Sequence, residues 1–162
     1  MFRNVTFAYP NADAPVLKGI SFESRAGEIT AVIGNTGCGK SSILKLIPRM
    51  YDTLFSEVYV DGINVRDYKV SELREIIGYV PQKNVLFSGD IAYNLKFGNE
   101  NRSESDWEEA ARIAFADGFI VKKDGQYHAE IAQGGTNLSG GQRERLAIAR
   151  AVMKKAGDMS VR

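Results

Sequence analysis

The residues most able to do chemistry form one short run, Gly34-Asn35-Thr36-Gly37-Cys38-Gly39-Lys40-Ser41. This run fits the pattern G-x-x-x-x-G-K-[ST], and it lies between an apolar β-branched stretch and a helix-like one, the context in which the pattern has meaning. Glycines at these positions let the backbone wrap closely, so that successive N–H groups point inward at phosphate oxygens. The start of the following helix adds a further field favourable to anions. Lys40 supplies a point charge for β- and γ-phosphates, and the Ser41 hydroxyl is the expected Mg²⁺ ligand, since Mg²⁺ takes oxygens from a few protein groups, phosphate and water. Ser42 completes the candidate phosphate-binding set. A glycine-rich turn without a ligand is the plain alternative. Cys38 is a small residue tolerated inside the loop, with a redox sensor as the second reading.

A second run, Leu138-Ser139-Gly140-Gly141-Gln142, opens the last helix-like stretch. Two glycines beside a serine at a helix start expose N–H groups, a dipole and a hydroxyl with no side chain in the way, which makes a second anion site. An N-cap that happens to contain glycines is the simpler alternative. GTPases would need a base-reading Asn-Lys-x-Asp, which the chain lacks, and small-molecule kinases would need an Arg-rich lid. The two runs together resemble the P-loop and signature of ABC-type ATPases.

That resemblance covers nearly the whole chain and implies further roles. Tyr9, in Phe7-Ala8-Tyr9-Pro10, is similar to the family's aromatic platform for adenine, and Gln82, in Tyr79-Val80-Pro81-Gln82, to its loop glutamine, which reaches the Mg²⁺ shell and the attacking water. Lys40 and Gln82 are thereby the catalytic candidates, and Ser41 and Gln82 the Mg²⁺ candidates. In the family, the signature of one subunit closes over ATP held by the P-loop of another, which implies a second ABC ATPase domain as partner. The stretch Val60-Asp61-Gly62-Ile63-Asn64-Val65-Arg66-Asp67-Tyr68, with Leu73-Arg74, Val85 to Ile91 and Asn94-Leu95, resembles ABC exporters, as does Ala132-Gln133-Gly134-Gly135-Thr136-Asn137. The exporter resemblance implies a membrane domain as a further partner and a place at the cytoplasmic face of a membrane. Gln133 departs from the Glu of many relatives, and the Asp52 to Glu57 stretch departs from their Pro- and Gly-containing turn, leaving Leu54-Phe55 in need of cover. His128, the lone histidine, reads as a loop residue and not as the family's switch histidine.

The elements that must position these residues alternate between short β-branched runs and amphipathic stretches, as in an α/β domain. Strands are expected at Val5 to Ala8, Ile20 to Glu23, Glu28 to Ile33, Glu57 to Val60 and Ile77 to Val80; the third is apolar enough for burial on both faces. Helices are expected from Ser41 to Arg49, with Ile43, Leu44, Leu46 and Ile47 on one side and Pro48 kinking or ending it. Further helices should run from a Ser103 or Ser105 cap to about Ala116, and from Ser139 through Lys155 to a stop at Gly157. The resemblance implies a P-loop NTPase of the ABC ATPase type, with an antiparallel β portion near the N-terminus, a P-loop core over about residues 1–99 and a helical region over about 100–157.

Composition sets outer limits. The chain has 162 residues, 44% hydrophobic and 25% charged, and its 21 Lys+Arg against 20 Asp+Glu give a net charge of +1. This supports a packed core and excludes a clustered basic surface for nucleic acid. One cysteine excludes an internal disulfide framework. In the family, an apolar strand ending in a Mg²⁺-binding Asp follows the signature, its Asp about twenty residues beyond the signature Gln and the catalytic Glu next. Counting from Gln142 puts that Asp at Arg162, so this core sheet is expected to be incomplete and this chain alone to hydrolyse ATP slowly or not at all. A non-hydrolysing nucleotide-binding or degenerate partner module is the second reading. A DNA-repair ATPase is disfavoured because the interval between Lys40 and Leu138 carries no heptads.

Overall fold

The computed structural model describes residues 1–53, 57–97 and 103–154. Two compact units emerge, one spanning Met1–Ile77 and a second beginning at Gly78. The Leu54-Phe55 pair and the expected helix end at Lys155 and Gly157 lie outside the described residues, as does 158–162.

The first unit is built on β1 (Phe2–Phe7), β2 (Leu17–Phe22), α1 (Lys40–Leu46), β3 (Glu57–Val60), β4 (Ile63–Asn64) and α2 (Val70–Glu75). Its four strands form one antiparallel sheet in the order β2-β1-β3-β4. Phe2, Val5 and Phe7 are all buried, yet positions 2 and 5 of a regular strand point to opposite faces. A bulge resolves the conflict. Asn4 takes φ 48° and the register shifts between Phe2 and Val5, turning the extra residue outward. A second shift lies opposite Gly19, at φ 61°, and here side chains replace missing ladder bonds: Asn4 N–H donates to Ser21 Oγ at 2.8 Å and Gly19 N–H to Thr6 Oγ1 at 3.0 Å. Asp61 and Gly62, both at positive φ, make the two-residue turn that pairs Val60 with Ile63. The buried faces meet Ile43 and Leu46 of α1 and Leu73 of α2 in one core.

Helix α1 begins one residue before the expected Ser41 and ends at Leu46, short of Pro48. Ile43 and Leu46 are buried as anticipated, whereas Leu44 lies off that stripe and is half exposed. Arg74 holds the segment just past the helix end, its Nε donating to Pro48 O and its Nη2 to Arg49 O, both at 3.1 Å.

Two expected strands do not form. Residues 28–33 and 77–80 carry no ladder, and Ile29 and Ile33 are 98% and 92% exposed. Their apolar character signals a two-sided environment, but among the described residues no strand lies beside either segment to take its N–H and C=O groups. A parallel strand has no structure without neighbours.

The second unit contains β5 (Gly89–Asp90), α3 (Ile91–Lys96), α4 (Glu104–Ile113), α5 (Asp117–Ile120), β6 (Glu130–Ile131) and α6 (Gly140–Met153). Strands β5 and β6 pair antiparallel. Ser103 caps α4 in a reciprocal box with Asp106, which decides between the two candidate serines. Helix α4 turns Trp107, Ala110 and Ala111 inward, at the i, i+3, i+4 spacing of one helical face, and packs on α6 through the core that holds Leu146, Ala149 and Met153. His128 ends a 3₁₀ turn, and its Nδ1 lies 3.1 Å from Asp90 Oδ2, tying that turn to the residue that caps α3.

Ile29→Lys is expected to leave unfolding free energy within roughly 0.5 kcal/mol of the parent, because the side chain is already in water, while reducing self-association. Urea unfolding together with light scattering checks it; a clear loss of stability would show that the segment is packed.

Candidate functional site

The loop from Gly34 to Gly39 turns through two glycines at left-handed φ, Gly37 at 85° and Gly39 at 96°. Gly39 is also the N-cap of α1 and accepts from the N–H of Ser42 at 2.9 Å and of Ile43 at 3.2 Å. A Cβ at Gly39 would stand 2.7 Å from Leu17 Cδ2 and 3.1 Å from Val16 O, so the loop lies directly against the start of β2 and a side chain there would displace Leu17. A Cβ at Gly34 would stand 2.6 Å from Cys38 Sγ, which shows the thiol folded across the loop. Cys38 N–H donates back to Asn35 O at 3.3 Å, closing the turn that contains Thr36 and Gly37.

Lys40 sits at the centre of this loop. Its Nζ donates to Gly34 O and Asn35 O, both at 2.7 Å, and lies 3.7 Å from Cys38 Sγ. An ammonium has three donors, and two of them are occupied by carbonyls of its own loop. Ser41 is exposed at the first turn of α1, beside this charge, whereas Ser42 is buried. The Ser42 hydroxyl meets the Tyr9 hydroxyl at 2.9 Å. Tyr9 is half-buried, its ring edge-on to Phe7 and Tyr51 with centroids 4.9 and 5.0 Å away, and the Lys45 ammonium lies 5.6 Å from its centroid. The structure therefore brings Tyr9 to the P-loop helix, and fixes the ring through Tyr51 and Lys45, neither of which the sequence reading singled out.

In the second unit, Ser139 caps α6. Its Oγ accepts from Gln142 N–H at 3.2 Å, and Gln142 Oε1 accepts from Ser139 N–H at 3.0 Å. The cap does not use up the hydroxyl, because an Oγ that accepts keeps its own O–H to donate. Nothing lies within 4 Å of a Cβ built on Gly140 or Gly141, so the helix start is open. Leu138 is buried and anchors the turn. Arg143 braces the turn from inside the helix, donating from Nη1 to Leu138 O at 2.7 Å and Gly135 O at 3.2 Å. Gln82 stands exposed on an irregular segment after Pro81. Among the described residues no group of three or more His, Cys, Asp or Glu side chains could hold a metal.

Residues 17–157 match the family model described as ABC transporter. The chain belongs to the ABC transporter family. It is 51% identical over 153 residues to an uncharacterized ABC transporter ATP-binding protein of Mycobacterium tuberculosis, covering 93% of this chain and 26% of that protein. It is 43% identical over 154 residues to the ATP-dependent lipid A-core flippase of Escherichia coli, covering 94% and 26%. A bacterial Atm1-family ABC exporter solved with ATP bound matches with a TM-score of 0.88 at 38% identity, over 94% of this chain and 27% of that one. The likeness is thus to exporters, and the P-loop NTPase fold class follows from it. The chain spans about a quarter of the length of these curated relatives.

Gly37→Ala should cost about 1–2 kcal/mol, the left-handed penalty alone, because open space surrounds its Cβ. Gly39→Ala carries the same penalty and also displaces Leu17, so its loss should be clearly larger. Urea denaturation of both variants checks this, and equal losses would refute the close approach.

Proposed function

We propose that this chain is the ATP-binding domain of an ABC exporter, and that it holds Mg-ATP through Gly34, Asn35, Thr36, Gly37, Cys38, Gly39, Lys40, Ser41 and Ser42. The observation that carries the reading is the Lys40 ammonium seated between the Gly34 and Asn35 carbonyls at the mouth of α1. Polyphosphate oxygens are stronger acceptors than these carbonyls, so a bound nucleotide draws the same ammonium outward without moving the helix. The residues fit Mg²⁺, with Ser41 offering a hydroxyl and phosphates the remaining oxygens; the ion would neutralise charge developing on the transferred phosphate. Tyr9 presents an aromatic surface to the base, and Gln82 an amide to the cation shell.

The Ser139 cap with open Gly140 and Gly141 supports a second anion site, filled by the nucleotide of a second ABC ATPase domain. A membrane domain, at the cytoplasmic face of a membrane, is the remaining partner, in keeping with the relatives named as a flippase and an exporter. No helix among the described residues is long and apolar enough to cross a membrane. In the whole transporter this domain would couple ATP hydrolysis to transport. None of the described carboxylates is assigned the general base, a group worth about 10²–10⁴ in rate, so the 162-residue chain is expected to bind ATP and turn it over very slowly.

A thermal-shift titration tests the binding. ATP at about 100 times its Kd should add about 2.7 kcal/mol of stability, and Lys40→Ala should abolish the shift. No shift at millimolar Mg-ATP would overturn the proposal. Phosphate release by the same protein should stay near background, and rapid turnover would refute the expectation of a slow chain.

A further inference from the structure

Helix α6 carries one more side chain with an unusual set of partners. Arg150, three turns beyond Ser139, is largely withdrawn from water, and burial pulls its guanidinium below its ordinary pKa. Among the described residues it forms no ion pair. All its contacts are neutral: Nε donates to Asn94 O at 3.0 Å, Nη2 to Asn94 Oδ1 at 2.9 Å and Nη1 to Val85 O at 3.1 Å. Phe87 and Phe97 cover the guanidinium, with centroids 5.5 and 5.8 Å from Cζ. A partly buried cation without a carboxylate partner is stabilised here by three neutral acceptors and two aromatic rings, and the rigid fork of Arg holds those acceptors in one arrangement.

What it fastens is the segment that follows Gln82. Asn94 is 1% exposed and its carboxamide is saturated: Oδ1 accepts from Phe87 N–H at 2.9 Å as well as from Arg150, and Nδ2 donates to Phe87 O at 2.8 Å and Asp90 O at 3.0 Å. These bonds close residues 87–94 into a rigid ring, and Arg150 bolts both that ring and Val85 O to the signature helix. Only the short piece from Gln82 to Asn84 stays outside the ring and the bolt. Leu86, Ile91 and Leu95 already share a core with Leu146 and Ala149 of α6, and Arg150 adds the polar link between the helix capped by Ser139 and the segment that carries Gln82.

We propose that Arg150 is a positioning residue that fixes the Gln82 segment to the signature helix, so that displacement of one is transmitted to the other. This rests on the reading of the chain as an ABC ATP-binding domain for its consequence at the nucleotide, but not for the link itself. The link lies wholly within the second unit.

The test uses the 162-residue chain and the variants Arg150→Gln, Arg150→Lys, Gln82→Ala and the double variant Gln82→Ala with Arg150→Gln. Hydrogen exchange should show the Phe87 amide about tenfold faster or more in Arg150→Gln, as expected for removal of charge-assisted bonds, with the amides of α4 unchanged. Arg150→Lys, which keeps the charge and loses the fork, should fall between. In a separate measurement, the Mg²⁺-dependent gain in ATP affinity should fall in Arg150→Gln as it does in Gln82→Ala, with no further fall in the double variant. An unchanged Phe87 amide overturns the proposal, as does acceleration spread evenly through α4 and α6. Retention of the Mg²⁺ gain by Arg150→Gln, where Gln82→Ala loses it, overturns it too. If the parent chain binds no ATP while Phe87 responds as expected, the link stands and the functional reading fails.

Discussion

Loops near a ligand site have main-chain carbonyls that no ladder or helix satisfies, and in this protein such carbonyls are held in pairs by long basic side chains. Lys40 takes Gly34 O and Asn35 O. Arg74 takes Pro48 O and Arg49 O, Arg143 takes Leu138 O and Gly135 O, and Arg150 takes Val85 O and Asn94 O. Each of these four stretches adjoins a candidate site or the helix that starts at one. The shape of the phosphate loop, the turn before the signature and the segment after Gln82 all depend on this one kind of contact. A buried carbonyl without a partner destabilises by an amount comparable to a lost hydrogen bond, so the basic residues act as much on the backbone as on any ligand.

Much of the site was legible because its chemistry is local. The glycine spacing around Lys40 and the Ser139 cap are set by backbone conformations within a few residues, and sequence states these directly. The Glu57–Val60 strand was read to the residue. The bulge at Asn4 was not, since nothing in Phe2-Arg3-Asn4-Val5 announces that positions 2 and 5 share a face until the core requires it. Residues 28–33 failed in the opposite way. Their apolar run was read as a strand, but a strand is a relation between segments, and the described residues provide no neighbour for it.

Asn94 and Arg150 escaped for a third reason. Their partners lie 56 positions apart in sequence, and neither residue type is diagnostic: an Arg on a helix ordinarily faces water, and an Asn in a short helix ordinarily signals a cap. The one available signal was their contrast with the surrounding pattern, an amide among Ile91, Ala92 and Leu95 and a cation next to Ala149 on the buried side of α6. A polar side chain on an otherwise apolar face must have a partner, though sequence cannot say which.

The choice between lysine and arginine at these four places follows from what each contact must do. Arg74 and Arg150 reach their carbonyl pairs through separate nitrogens of a planar fork, and Arg143 through the two hydrogens of Nη1 alone; in each case a rigid set of donors loses little freedom and holds a loop in one arrangement. Lys40 is different. Its ammonium is a compact charge on a flexible stem, its contacts lie in an exposed loop, and its two carbonyl partners are ones it can leave. A guanidinium in its place would hold the same carbonyls in a fixed plane and resist being drawn toward phosphate. If this loop holds the nucleotide as proposed, it is ordered before the nucleotide arrives and still releases its cation when one does, because the group that orders it is a compact ammonium that exchanges acceptors without rebuilding its geometry.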